Sequence, residues 1–72
     1  MKTVYDVRQL LKSFGIFVYI GDRLGDLELM ELELTQLYQS NCISIEDYKK
    51  AVLILRKEAR IIRERKGERR KN

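Results

Sequence analysis

Apolar residues recur along this chain at alternating steps of three and four, the spacing that gathers them on one face of a helix. In the first run Val4, Val7, Leu11 and Phe14 form the stripe. Thr3 is placed to cap its start, and Asp6, three residues on, can reach back as a short capping box. Gly15 predicts the stop. The second run uses Leu27, Met30, Leu34 and Leu37 as its core stripe, with Leu24 and Tyr38 beside it and Asp22 as N-cap. A turn over Asn41 to Ile43 follows, and Ser44 with Asp47 repeats the capping-box spacing. Behind it Ile45, Tyr48, Val52, Leu55, Ala59 and Ile62 continue the pattern for nearly five turns. The prediction is an all-α protein, a small three-helix bundle with a long basic C-terminal helix.

Four places depart from the simple stripes. The run IFVYI, Ile16 to Ile20, is apolar and β-branched enough for a short strand, but no second strand is visible to pair with it. A buried connector or a continuation of helix is expected instead. Gly25 weakens the first turn of the second helix by roughly 1 kcal/mol relative to alanine, so that helix is expected to begin as late as Asp26. Leu29 and Leu32 lie off the stripe, and either a broad buried face or an exposed patch for self-association accounts for them. No apolar residue follows Ile62. One domain over residues 1–66 and a basic, disordered tail over residues 67–72 are therefore expected.

A chain of 72 residues holds one domain and buries only roughly 60% of the surface its unfolded form exposes. Cys42 is the single cysteine and there is no histidine, which excludes an internal disulfide and a Cys/His zinc site. A lone cysteine suits a reducing compartment, where a small buried apolar role is expected for it. The opening MKTVYDVRQLLKSFG lacks the continuous apolar stretch of a secretion signal. No run approaches the ~18 to 20 apolar residues of a membrane span. A cytoplasmic protein is expected.

Charge changes the picture more. From Arg23 to Tyr48 one basic residue stands against six acids, whereas from Lys49 to Asn72 eleven basic residues stand against Glu58, Glu64 and Glu68. Such a dipole suits head-to-tail self-contact, an acidic partner or phosphate. Lys49, Arg56, Arg60 and Arg63 fall at steps of seven, four and three along one face of the third helix, with Lys50 and Lys57 flanking them. That is the footprint of a phosphate-contacting surface, and equally of a solvated face whose cations favour the helix C-terminus. Binding of single strands also uses flat aromatic groups. Tyr5 stands ahead of Arg8 and Lys12, and Tyr19 precedes Arg23 closely; each is able to stack a base or to pack its ring on the rim of the bundle.

Catalysis finds no foothold in this sequence. No histidine, activated serine or glycine-rich phosphate loop is present, so no set of nucleophile, base and oxyanion donor can be drawn, and no cofactor is expected. Asp22 and Asp26, one turn apart, read as a helix N-terminus favoured by its dipole in preference to a cation site, and no metal site is assigned.

The stretches Tyr5-Asp6-Val7, Gln9-Leu10-Leu11-Lys12, Gly15, Val18-Tyr19, Gly21-Asp22-Arg23 and Leu55-Arg56-Lys57-Glu58 resemble the YqgQ-like family of small proteins from Gram-positive bacteria. The resemblance covers nearly the whole chain up to the third helix, leaves out the basic tail, and departs from the family pattern at Gly25. It implies a three-helix fold, a cytoplasmic protein and single-stranded nucleic-acid binding. Carried over residue by residue, it brings Tyr5, Arg8, Lys12, Tyr19, Arg23, Arg56 and Lys57 under consideration.

Together these readings point to a non-enzymatic, weak and sequence-tolerant binder of single-stranded DNA or RNA. Lys49, Arg56, Lys57, Arg60 and Arg63 would hold phosphate, and Tyr5 or Tyr19 would stack. Neutralising about four phosphates would give a log-log salt slope of roughly −3. The alternative is a protein-interaction module, a homodimer through Leu29 and Leu32 or an adaptor for an acidic partner. Attachment to a membrane surface is disfavoured because the basic tail carries no aromatic or leucine anchors. No small-molecule substrate is indicated.

Overall fold

The computed structural model describes the backbone of residues 1–71 and the side chains of residues 1–66. Three helices follow one another: α1 (Val4–Ser13), α2 (Arg23–Gln39) and α3 (Ile45–Lys71). The expected tail at 67–72 falls where side chains lie outside the described residues, while the backbone of α3 continues to Lys71.

Each boundary is closed by local chemistry. Thr3 and Asp6 form the reciprocal capping box, Thr3 Oγ1 accepting from the Asp6 N–H and the Asp6 carboxylate accepting from the N–H groups of Lys2 and Thr3. At the other end of α1, Gly15 takes a φ of 75°, which a side chain would resist. Its N–H donates to the Lys12 carbonyl and that of Ile16 to the Leu11 carbonyl, the paired bonds of a Schellman ending. The end of α2 repeats this design with Asn41 at a φ of 61°, its N–H on the Tyr38 carbonyl and that of Cys42 on the Leu37 carbonyl. Ser44 Oγ caps α3 by accepting from the Asp47 N–H.

α2 begins at Arg23, as Asp22 in the N-cap predicts and ahead of the late start that Gly25 allowed, because Asp22 accepts the Gly25 N–H at 2.9 Å. Gly25 therefore sits inside the first turn without delaying it. Its missing side chain has a packing reason as well: a Cβ there would lie 2.6 Å from the tip of Ile20 and 3.0 Å from a carboxylate oxygen of Asp22.

The core is formed by Val7 and Leu11 of α1, Leu27, Met30, Leu34 and Leu37 of α2, and Ala51, Val52, Leu55 and Ala59 of α3, joined by Val18 and Ile43 from the connecting segments. Ala51 and Ala59 are small where the other two helices press on α3, which lets the thin core close. With 27 residues α3 is the spine, roughly 40 Å long, and the extents of 46 × 23 × 18 Å reflect its overshoot.

Several expectations are corrected. Phe14 is not a stripe residue but the exposed C-cap of α1, and Ile45 is also exposed. Cys42 is exposed, because it is the residue just past the left-handed Asn41 and only its backbone turns inward to α2. The connector Ile16 to Ile20 is neither strand, helix nor fully buried: Val18 enters the core, Ile16 packs partly against it, and Phe17, Tyr19 and Ile20 face solvent. Leu29 and Leu32 are exposed, which decides against the broad buried face.

Two outcomes follow for stability. Leu34→Ala, at a fully buried position, should cost about 2–5 kcal/mol in urea denaturation, while Leu32→Ala should stay within about 0.5 kcal/mol of the parent. The backbone N–H groups of Lys2 and Thr3 hold the Asp6 carboxyl below its usual pKa. A lowered folded-state value means that its stabilisation is complete above the unfolded carboxyl range and is lost as pH falls through the folded value. An NMR titration should place Asp6 below the free-peptide carboxyl, and Asp6→Asn should flatten the loss of stability below about pH 4.

Candidate nucleic-acid interface

The cations of α3 do not form one free surface. α2 and α3 pack antiparallel, and the acids of α2 reach across the seam to them. Arg56 makes a two-pronged contact with Glu31, Nε to Oε1 at 3.2 Å and Nη2 to Oε2 at 3.0 Å. These hydrogen bonds, and then the charge of Glu31, raise the Arg56 guanidinium above its usual pKa. One end of the seam adds Arg63 to Glu28 at 3.7 Å, and the other adds Tyr38 stacked on Tyr48 with centroids 4.7 Å apart. Thr35 Oγ1 lies between, 3.1 Å from the Tyr48 hydroxyl. Arg60 turns to Glu64 along its own helix at 4.0 Å.

Arg8 leaves the candidate surface altogether. Its Nη1 donates to the Val18 carbonyl, and its guanidinium lies 3.9 Å from Asp26. Asp26, only 5% exposed, also accepts the Ile20 N–H at 2.8 Å. Asp26 stands in the first turn of α2, as expected of a residue favoured by the helix dipole, and its carboxylate is in addition a buried tie between α1, the connector and α2. Fixing the backbone on both sides of Tyr19 has a consequence for that residue. With Val18 turned in and Ile20 anchored by its N–H, Tyr19 projects outward and is 85% exposed.

On the opposite side of α3 from Glu31, three of the expected residues do come together. Tyr5 of α1, Arg23 of α2 and Lys57 of α3 line one groove with Lys2 and Glu58, over the half-buried Val4, Ile54 and Ile61. Tyr5 is 67% exposed beside the cations. Arg23 contacts Glu58 at 3.5 Å, an exposed pair worth about 0–1 kcal/mol and hence open to displacement by phosphate. The groove thus offers an aromatic face, a floor of apolar side chains and three cations. Lys12 and Lys49 are exposed but do not line it, and Tyr19 stands apart in the connector.

Lys2 escaped the sequence reading because nothing in the chain shows that the N-terminus folds against α3. The pairing of Glu28 and Glu31 with Arg63 and Arg56 was more accessible. Two adjacent antiparallel helices of opposite charge neutralise each other before they meet any partner, so the charge imbalance itself carried the signal.

Among the described residues no group of acids and cysteine could hold a metal ion, and no helix is long and apolar enough to cross a membrane. The profile of the YqgQ-like family matches residues 1–61, which include every residue of the groove. A relative from Bacillus subtilis (strain 168), described as "Uncharacterized protein YqgQ", is 50% identical over 58 residues, covering 81% of this chain and 82% of that protein.

The two kinds of ion pair should respond differently to truncation. Asp26→Ala leaves the part-buried Ile20 N–H without its acceptor and Arg8 with the Val18 carbonyl alone, and should cost about 1–3 kcal/mol, with faster hydrogen exchange at Ile20. Arg56→Ala, at an exposed pair, should leave the denaturation midpoint nearly unchanged in the same assay.

Proposed function

The chain belongs to the YqgQ-like family, and for it we propose weak, largely sequence-independent binding of single-stranded nucleic acid in the cytoplasm, without catalysis. The reading rests on one observation: Tyr5 shares a groove with Lys2, Arg23 and Lys57. A flat ring stacks on any base, and cations beside it hold the adjoining phosphates, the combination by which single strands are held without reading their bases. A duplex keeps its bases stacked on one another and gives Tyr5 nothing to meet.

Magnitudes make the binding weak. One stacking platform contributes about 1–3 kcal/mol, and exposed cations add a salt-screened term, far from the roughly 12 kcal/mol of a nanomolar complex. The site is also smaller than the sequence indicated. Arg8 is committed to Val18 and Asp26, and Arg56 and Arg63 face Glu31 and Glu28 across the α2–α3 seam, outside the groove that holds Tyr5. About three phosphates are then neutralised in place of about four, and the salt slope falls to roughly −2. Lys12, Tyr19, Lys49 and Arg60 serve at most the flanking strand.

Fluorescence anisotropy with a labelled oligothymidylate or oligouridylate at low salt tests the reading. Tyr5→Ala should weaken binding about 5- to 150-fold, Tyr5→Phe should retain it, and Arg56→Ala should leave it nearly unchanged. A parent protein that fails to bind either strand at low salt, or that binds duplex equally well, overturns it.

A further inference from the structure

The solvent face of α3 carries one apolar side chain with an unusual setting. Leu53 is 67% exposed, and its neighbours one turn away on the helix are Lys49 and Lys50 before it and Arg56 and Lys57 after it. A leucine placed among four cations gains nothing for the fold. Lysine stems enlarge the apolar area around it, and their ammonium groups rim that area with positive charge.

The complementary arrangement stands on α2. Leu29 and Leu32, three residues apart, are exposed on adjoining turns. Glu28 precedes Leu32 by four residues and Glu33 follows Leu29 by four, so an apolar pair is flanked by carboxylates. Leu32 lines a groove between α2 and α3 with Arg56 and Arg63, and Leu53 lies one turn before Arg56 on α3. Within one molecule these helices already use this chemistry across their seam, Glu31 on Arg56 and Glu28 on Arg63.

We propose that the cation-ringed Leu53 of α3 receives the acid-flanked Leu29 and Leu32 of α2 from a second copy of the chain. Two copies related by a two-fold axis would make this contact twice, a closed arrangement. Apolar anchors supply the attraction, and the charges outside the intramolecular pairs, Glu33 against Lys49, Lys50 and Lys57, set the register and exclude like-on-like docking. Of the ring around Leu53 only Lys57 also lines the Tyr5 groove, whose Tyr5, Lys2 and Arg23 take no part in this contact, so substitution of Tyr5 separates the association from nucleic-acid binding.

Sedimentation equilibrium of the full chain over a wide concentration range tests this. At low salt the weight-average mass should climb from 8.6 kDa toward twice that value, and it should fall back at about 1 M salt, where the Debye length is about 3 Å. Leu53→Ser and Leu32→Ser, both at exposed positions, should each hold the protein monomeric with an unchanged circular dichroism spectrum. The deciding measurement mixes two charge-reversed proteins, Glu28→Lys/Glu33→Lys and Lys49→Glu/Lys50→Glu. Each alone should be monomeric, and the mixture should recover the heavier species. Tyr5→Ala should associate like the parent. A parent that stays at 8.6 kDa throughout, or a mixture that stays monomeric while the parent associates, overturns the proposal.

Discussion

A carboxylate as buried as that of Asp26 survives in a protein only with partners, and the partners it takes tie α1, the connector and α2 together. One is the N–H of Ile20 and the other the guanidinium of Arg8, which in turn holds the Val18 carbonyl. Through these contacts the connector is held at both ends of a short extended stretch. Val18 is committed to the core and Tyr19 to solvent, and α1 is held against α2 at the angle that sets Tyr5 near Arg23. The tie thus links the core to the groove proposed to bind a strand.

Electrostatics divides the surface in an equally physical way. Where α2 and α3 touch, opposite charges are spent on each other, and a polyanion approaching Arg56 meets Glu31 as well. Where α3 turns from α2, cations remain without such neighbours, at Lys57 on the groove side and at Lys49 and Lys50 around Leu53. The number of positive residues is therefore a poor guide to binding strength here. Their position relative to the acids of the adjoining helix decides which of them a partner feels.

Much of the fold was legible because its determinants are local. Thr3 with Asp6, Asp22, Ser44 and the Gly15 stop act within a few residues of the boundaries they set, and the stripes of α1 and α2 depend only on spacing. The misreadings have two causes, contact between residues far apart in sequence and the direction the backbone takes at helix ends. Arg8 looked like a free cation because Val18 and Asp26 are ten and eighteen positions away. Cys42 looked like a core residue because its composition suits burial, whereas the left-handed turn at Asn41 decides its direction. For the candidate site, Tyr5, Arg23 and Lys57 were named singly, but that three helices would bring them to one groove was not a local property.

The glycine at position 25 leaves a lasting mark on how this protein can vary. The tip of Ile20 occupies the place where a side chain at 25 would begin, and the capping oxygen of Asp22 closes the other flank. Positions 20 and 25 consequently share one volume. A better helix former at 25 becomes favourable only once residue 20 is trimmed or turned aside, so the effect of either substitution depends on the other. The connector and the first turn of α2 are in this sense a single unit of inheritance, free to change together and constrained when changed alone.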